Sequence, residues 1–190
     1  MLFSRWRLVL KKTIKIDPFD NKSVKAAIKE LEQYQKQLEE RCKQLVIELA
    51  NHGADVAKAT IAGLPYSTGN LESSIYAIYD EKTHCAMIKA DNEHAVFVEF
   101  GTGIVGEGTY PNSEYLSVAG QFGWQGYYIG GENGCEFTTK DGRQGWITKM
   151  NNGQYFFTEG QEAKHFMDDA FHSVVESFED TVRQIFNKSA

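Results

Sequence analysis

The five histidines have the most obvious chemical capacity in this 190-residue chain, and their spacing gives them neither a common metal nor a shared proton. His52, His84, His94, His165 and His172 form no HxxxH or HExxH pattern, the arrangements that put two imidazoles on one helical face. His84 and Cys85 are adjacent, so on a strand they point to opposite faces and cannot chelate one ion. His165 and His172 can share a helical face but stand too far apart for a single metal. Surface or satisfied core histidines are the simpler reading. Asp91, Glu93, His94 and Glu99 form a titratable cluster beside a glycine-rich turn. Hydrolysis would require a carboxylate pair or a nucleophile held beside a base. Capping by Asn92 and carboxylates on a helix surface account for the same residues. Gly101-Thr102-Gly103 and Gly106-Glu107-Gly108 fall short of GxGxxG, and no GxxxxGK[ST] is present. The GTG reads as a helix stop that lets the chain reverse. No catalytic residue, metal or cofactor is expected.

The elements that would carry these residues are legible in the periodicity. Just after a turn at Pro18 to Asn21, Ser23 can cap a long helix over 22–62. Its apolar stripe runs through Ile28, Leu31, Leu38, Cys42, Leu45, Leu49, His52, Val56 and Ala59, with charged residues on the other faces. At 1.5 Å per residue this helix would be roughly 55 Å long, with Gly53 a possible bend. A stripe of that length lies across a sheet or packs partly on a neighbouring subunit. Leu71 to Tyr79 and His84 to Ala90 read as antiparallel strands around an Asp80-Glu81-Lys82 turn. Residues 71–103 thus form a hairpin and a short helix ending at the GTG. Residues 104–157 are rich in glycine and aromatics, and read as a β-rich insertion with strand candidates at Tyr127-Tyr128-Ile129, Gln144 to Thr148 and Tyr155 to Phe157. A second amphipathic helix is predicted from about Gln161 to Phe186, within a C-terminal helical span of 160–187. Residues 1–20 read as an arm or strand. The whole is an α+β fold in a single domain: two helices packed on a small antiparallel β-sheet, with a Gly/aromatic-rich β insertion.

Composition narrows the functional classes. With 42% hydrophobic and 24% charged residues the chain can bury a core, which excludes wholesale disorder. The net charge of −6 argues against neutralising many phosphates. The one basic run, Arg5, Arg7, Lys11, Lys12 and Lys15, is threaded with Trp6, Leu8, Val9 and Leu10 and reads as a strand or terminus before it reads as a nucleic-acid patch. Cys42, Cys85 and Cys135 are odd in number and make no CxxC, as expected of free thiols or core fillers in a reducing compartment. The apolar stretch Leu8-Val9-Leu10 is too short for a signal peptide, and no segment has the length of a membrane span. Synthesis and retention in a cytoplasm are expected.

Three segments, in order, resemble a known family. Residues Tyr66 to Ile75, containing Thr68, Gly69, Asn70 and Leu71, look like its "TGxLxxSI" stretch. Asn92 to Gly103, with Phe97, Glu99, Phe100, Gly101, Thr102 and Gly103, is similar to its "YAxFVEFGTG". Ala163 to Ala170, with Phe166 and Met167, resembles its "AxPFMxPA" closing helix, except that His165 stands where a proline is common. The chain is thereby identified as similar to the head–tail joining and tail-completion components of long-tailed bacteriophages and prophages, over residues 20–187. That resemblance implies a structural, non-enzymatic virion protein of the neck or tail. It would form a ring with itself, sixfold by expectation, contact other neck or tail proteins, let genomic DNA pass without sequence-specific binding, and need no membrane and no cofactor. It also implies that Phe97, Phe100, Phe166 and Met167 join the hairpin to the last helix, that Gly101 and Gly103 permit a sharp exit, and that Glu99 either caps a backbone or pairs across subunits. The alternative is a cytoplasmic, non-catalytic binding module with an aromatic β-rich recognition surface, which a concave aromatic pocket would favour.

Overall fold

The computed structural model describes residues 13–64, 69–111, 113–122, 124, 136–149 and 153–187. Thr68, Cys135, the Tyr127-Tyr128-Ile129 candidate strand and most of the N-terminal arm lie outside them. The fold is α+β. Helix α1 spans Asn21–Ala62, and the helical turn α2, Asn70–Ser73, precedes strands β1, Ile75–Asp80, and β2, Cys85–Ala90. Helix α3 (Ala95–Phe100), the single turn α4 (Gly103–Gly106) and α5 (Ser113–Ala119) follow. Strands β3 (Glu136–Thr138), β4 (Gln144–Lys149), β5 (Tyr155–Thr158) and the short β6 (Gly160–Gln161) lead to helix α6, Phe166–Asn187. Backbone proximity groups the chain into Met1–Gln44 and Leu45–Ala190, dividing it inside α1.

In the first unit, α1 starts at Asp20 and not at Ser23. The Asp20 carboxylate accepts the N–H groups of Lys22 at 3.0 Å and Ser23 at 3.2 Å, which makes it the cap. Ser23 sits three residues on, and its hydroxyl oxygen accepts the Asp17 N–H at 2.8 Å, closing the turn from the other side.

The second unit holds the described core. Ala54, Ala57 and Ile61 of α1, Ile75 of β1, Ala95 of α3, and Phe166 and Ala170 of α6 form one buried cluster. Fully burying side chains such as Ile61, Ile75 and Phe166 stabilises by about 2 kcal/mol each. The α1 face that meets this core is offset from the stripe of larger residues. His52 and Ala59 are exposed, while Ala50, Gly53, Ala54 and Ala57 are buried. Small side chains are what close packing selects here, and a hydrophobicity pattern undervalues them. Helix α1 is unbroken at Gly53. A Cβ at that position would overlap Ile88 Cδ1 of β2 and lie 2.8 Å from Val174 Cγ2 of α6, so the glycine admits both neighbours.

Strands β1 and β2 pair antiparallel, from Ile75 opposite Ala90 to Asp80 opposite Cys85. Ile75, Ala77, Ile88 and Ala90 face the core, whereas Tyr76, Ile78 and Met87 are exposed. The expected strand from Leu71 begins at Ile75, because the Ser73 and Ser74 hydroxyls donate to Asn70 and Leu71 carbonyls and hold a helical turn. Asp80 fixes the hairpin loop by accepting the Lys82 N–H at 2.9 Å and the Thr83 hydroxyl at 2.8 Å. Cys42 and Cys85 are exposed thiols rather than core fillers.

The 104–157 segment differs from the β-rich expectation in its first part, where the described residues form α4 and α5. Its strands begin at Glu136, and β3-β4-β5 make an antiparallel sheet that includes the expected Gln144 and Tyr155 strands. The last helix starts at Phe166 and not near Gln161. Residues 160–165 form no helix because polar groups of Gln161, Lys164 and His165 bond outside their own segment. Gly53→Val should lower stability by about 1–3 kcal/mol in urea denaturation, the overlap outweighing any gain in helix propensity.

Candidate functional site

Helix α3 is six residues long; a neighbouring residue turns the chain into its start, and distant chain holds its end. The Asn92 Oδ1 accepts the His94 N–H at 2.8 Å and turns the chain ahead of the helix, but the cap position is His94 and has no side-chain cap bond, so Asn92 is not the cap expected of it. At the other end, the Lys164 N–H donates to the Val98 carbonyl at 2.8 Å and the His165 N–H to the Glu99 carbonyl at 3.2 Å. Gln161 Nε2 donates to the Phe97 carbonyl at 3.2 Å. The terminal carbonyls of a helix have no partner inside it, so these donors complete α3.

Glu99 returns the arrangement. Its side chain accepts the N–H of Met167 at 2.8 Å and of Asp168 at 3.2 Å, the free donors in the first turn of α6, and also the Tyr110 hydroxyl at 3.1 Å. Of the two roles the resemblance left open for Glu99, this geometry performs backbone capping within one chain. Glu99 is 5% exposed. Burial is the main influence on its carboxyl and raises its pKa, the neighbouring Asp168 charge adds to the rise, and the three donors oppose it. Burial and the adjacent Glu99 likewise hold the Tyr110 phenol far above the ordinary tyrosine range.

The GTG segment is a pairing segment as well as a turn. Thr102 and Gly103 pair antiparallel with Gln161 and Gly160. Gly101 and Gly103 have φ of 78° and 66°, where a side chain is disfavoured. A Cβ on Gly101 would also come within 2.7 Å of the Ala163 nitrogen. Thr109 bridges the same crossing, its hydroxyl accepting the Ala163 N–H at 2.8 Å and donating to the Gly106 carbonyl at 2.7 Å. Trp124 Nε1 donates to the Gly101 carbonyl at 3.1 Å.

The motif residues separate into distinct places. Gly69 takes a left-handed φ of 78° ahead of α2, the Asn70 carbonyl accepts the Ser73 hydroxyl, and Leu71 packs against the core. Phe166 is at its centre and Met167 at its edge. Phe100 packs elsewhere, with ring centroids 4.7 Å from Tyr110 and 5.8 Å from Trp124. From α3 it is Ala95 and Val98, rather than Phe97 and Phe100, that meet the hairpin and α6 in the core. The residues missed in the sequence are Tyr110, Thr109, Trp124 and Asp168. Only Asp168 carried a signal, as an acid in the first turn of a helix.

Beside this junction is a cavity of about 640 Å³ lined by Phe100, Tyr110, Tyr115, Met167 and Phe171, with Glu99 and Asp168 among its walls. Its aromatic residues come from α3, the 107–111 loop, α5 and α6 rather than from the three-stranded sheet. Among the described residues no three His, Cys, Asp or Glu side chains gather as a metal set, and no helix is long and apolar enough to cross a membrane.

The long helix, the hairpin and α3 together make up the part of the chain that is similar to a known family. Residues 25–101 match the model of the family described as "HK97-gp10_like: Bacteriophage HK97-gp10, putative tail-component". The resemblance read from TGNL and VEFGTG therefore holds over that span. No curated protein and no solved structure matches the chain.

Replacing Glu99 tests the junction. Glu99→Gln should cost about 1–2 kcal/mol and Glu99→Ala about 2–3 kcal/mol, since the amide sets a donor against one of the α6 N–H groups and alanine leaves them bare. A raised folded pKa means the proton-linked stability is complete below the unfolded value of about 4.3 and is lost as pH rises through the folded one. The gap between the unsubstituted protein and Glu99→Gln should narrow in urea titrations as pH rises above about 4. A widening gap would contradict burial as the dominant influence.

His165 has a φ of 36° and donates its N–H to the Glu99 carbonyl, both of which a proline forbids. His165→Pro, although it restores the residue common in the resembling family, should lower the denaturation midpoint by the equivalent of about 1–3 kcal/mol.

Proposed function

We propose that this protein is a structural component of a phage virion, a ring-forming subunit of the neck or tail that acts in head–tail joining, tail completion or tail termination. The observation that carries the reading is the family match over residues 25–101, which covers most of α1, the hairpin and α3. The AxxFM helix that follows the insertion extends the resemblance beyond the match, and α6 places that segment directly on Glu99.

The exposed surface supports assembly. Phe171, Val175 and Phe178 recur at helical spacing on α6 and are each about half exposed, as are Ile78 and Met87 on the outer face of the hairpin. Apolar residues at such spacing mark contact surfaces more often than scattered single ones do. Two different apolar patches on one subunit are what a head-to-tail contact requires, and such contacts close into rings. The net charge of −6 suits a ring whose lumen repels DNA enough to let it slide. Such a protein acts by position, without catalysis or cofactor, and resides in the virion after synthesis in a bacterial host.

The 640 Å³ aromatic cavity favours a second reading, a non-catalytic binding module. The two readings separate in solution. Light scattering over a concentration series up to about millimolar should show mass growing from 21.5 kDa towards a defined multiple. A protein that stays monomeric throughout and binds neither purified tails nor connectors would overturn the ring and leave the binding module.

A further inference from the structure

We propose that the cavity beside Glu99 receives residues 5–12 of a second copy of this chain, so that one subunit's basic, apolar arm anchors in the next. The inference rests on the ring reading and deepens it by naming a contact. The first argument is size, because about 640 Å³ holds an indole together with an aliphatic neighbour. The second is chemistry. Phe100, Tyr115, Met167 and Phe171 supply apolar wall, and two carboxylates, Glu99 and Asp168, lie among them.

Charge decides the occupant. The Asp168 side chain is 7% exposed, and its ion pair with His172 spans 3.6 Å and exists only when that imidazole is protonated. Lys89, which also lines the cavity, is committed to Asp91 at 3.2 Å. Glu93 adds a further negative charge. A negative, largely apolar recess favours a segment in which aromatic or aliphatic side chains alternate with cations. The chain contains one: Arg5-Trp6-Arg7-Leu8-Val9-Leu10-Lys11-Lys12 carries four cations and no acid, in a protein of net charge −6. Trp6 is the natural anchor, since buried tryptophan and arginine dominate interface energetics. An arm that fits a cavity of a different shape on its neighbour makes a heterologous contact, the kind that propagates around a ring.

The test uses full-length protein with a benzophenone side chain in place of Trp6, mixed equally with ¹⁵N-labelled copies of the same chain and irradiated. Mass spectrometry should find cross-links between light and heavy copies at Tyr115, Met167 or Phe171. In parallel, a labelled synthetic peptide of residues 5–12 should bind the full-length protein, and Asp168→Asn and Phe171→Ala should each weaken it about ten-fold while thermal melting shows both variants folded. A peptide with its four cations replaced by glutamine should bind at least about ten-fold more weakly. Cross-links confined to one chain, cross-links away from the cavity, or none would overturn the proposal. Light scattering of the same samples reads the ring independently, so a ring that assembles without the cross-link refutes the arm and leaves the ring standing.

Discussion

Glu99 is both the last turn of one helix and the cap of another, and the arrangement of the second unit follows from that double role. Its backbone carbonyl receives the N–H of His165, and its carboxylate receives those of Met167 and Asp168. The C-terminus of α3 and the N-terminus of α6 would each leave polar groups unsatisfied away from water. Set against one another they satisfy both, with one negative charge at the electropositive end of α6. Tyr110 adds a third donor, and its ring against Phe100 carries the junction into the wall of the cavity. The cavity's acidic character is thus a by-product of how the helices are joined.

The junction also concentrates unusual backbone. Gly101, Gly103, Gly160 and His165 all have positive φ, and all lie where the exit from α3 crosses the approach to α6. Three are glycines, for which the conformation is inexpensive, and close backbone approach excludes a side chain at each in any case. His165 is the exception. It keeps the conformation through its N–H bond to Glu99 and a 2.9 Å contact between its ring and Asp169.

Much of this fold can be read in the chain because local periodicity dictates it. The 42 residues of α1, the β1–β2 hairpin and the body of α6 each repeat an apolar pattern that only one secondary structure satisfies. The failures have a common cause. Residues 160–165 look helical in isolation and form no helix because donors of Gln161, Lys164 and His165 are spent on carbonyls about sixty positions earlier. The α1 face was misplaced, Leu49 excepted, because alanine and glycine, too small to stand out in an apolar pattern, are what permit the close approach of β2 and α6. Helices α4 and α5 were hidden by glycines and aromatics that suggest strands. At the site, TGNL and VEFGTG marked the right segments, and a capping role was among those open to Glu99. That Tyr110 and Asp168 meet Glu99 was invisible, since only the closed fold brings residues 11 and 69 positions away to one carboxylate.

The pairing of Thr102 and Gly103 with Gln161 and Gly160 has a meaning beyond its hydrogen bonds. The chain leaves the core at Gly103 and rejoins it at Gly160, side by side, so the excursion between them hangs on a closed stem and is tied back to it by Thr109, Tyr110 and Trp124. The entropy of closing such an excursion grows only with the logarithm of its length. The sheet of β3, β4 and β5, which follows those three residues, can therefore vary in length at little entropic cost to the stem. The family match ends at residue 101, two residues before that stem opens.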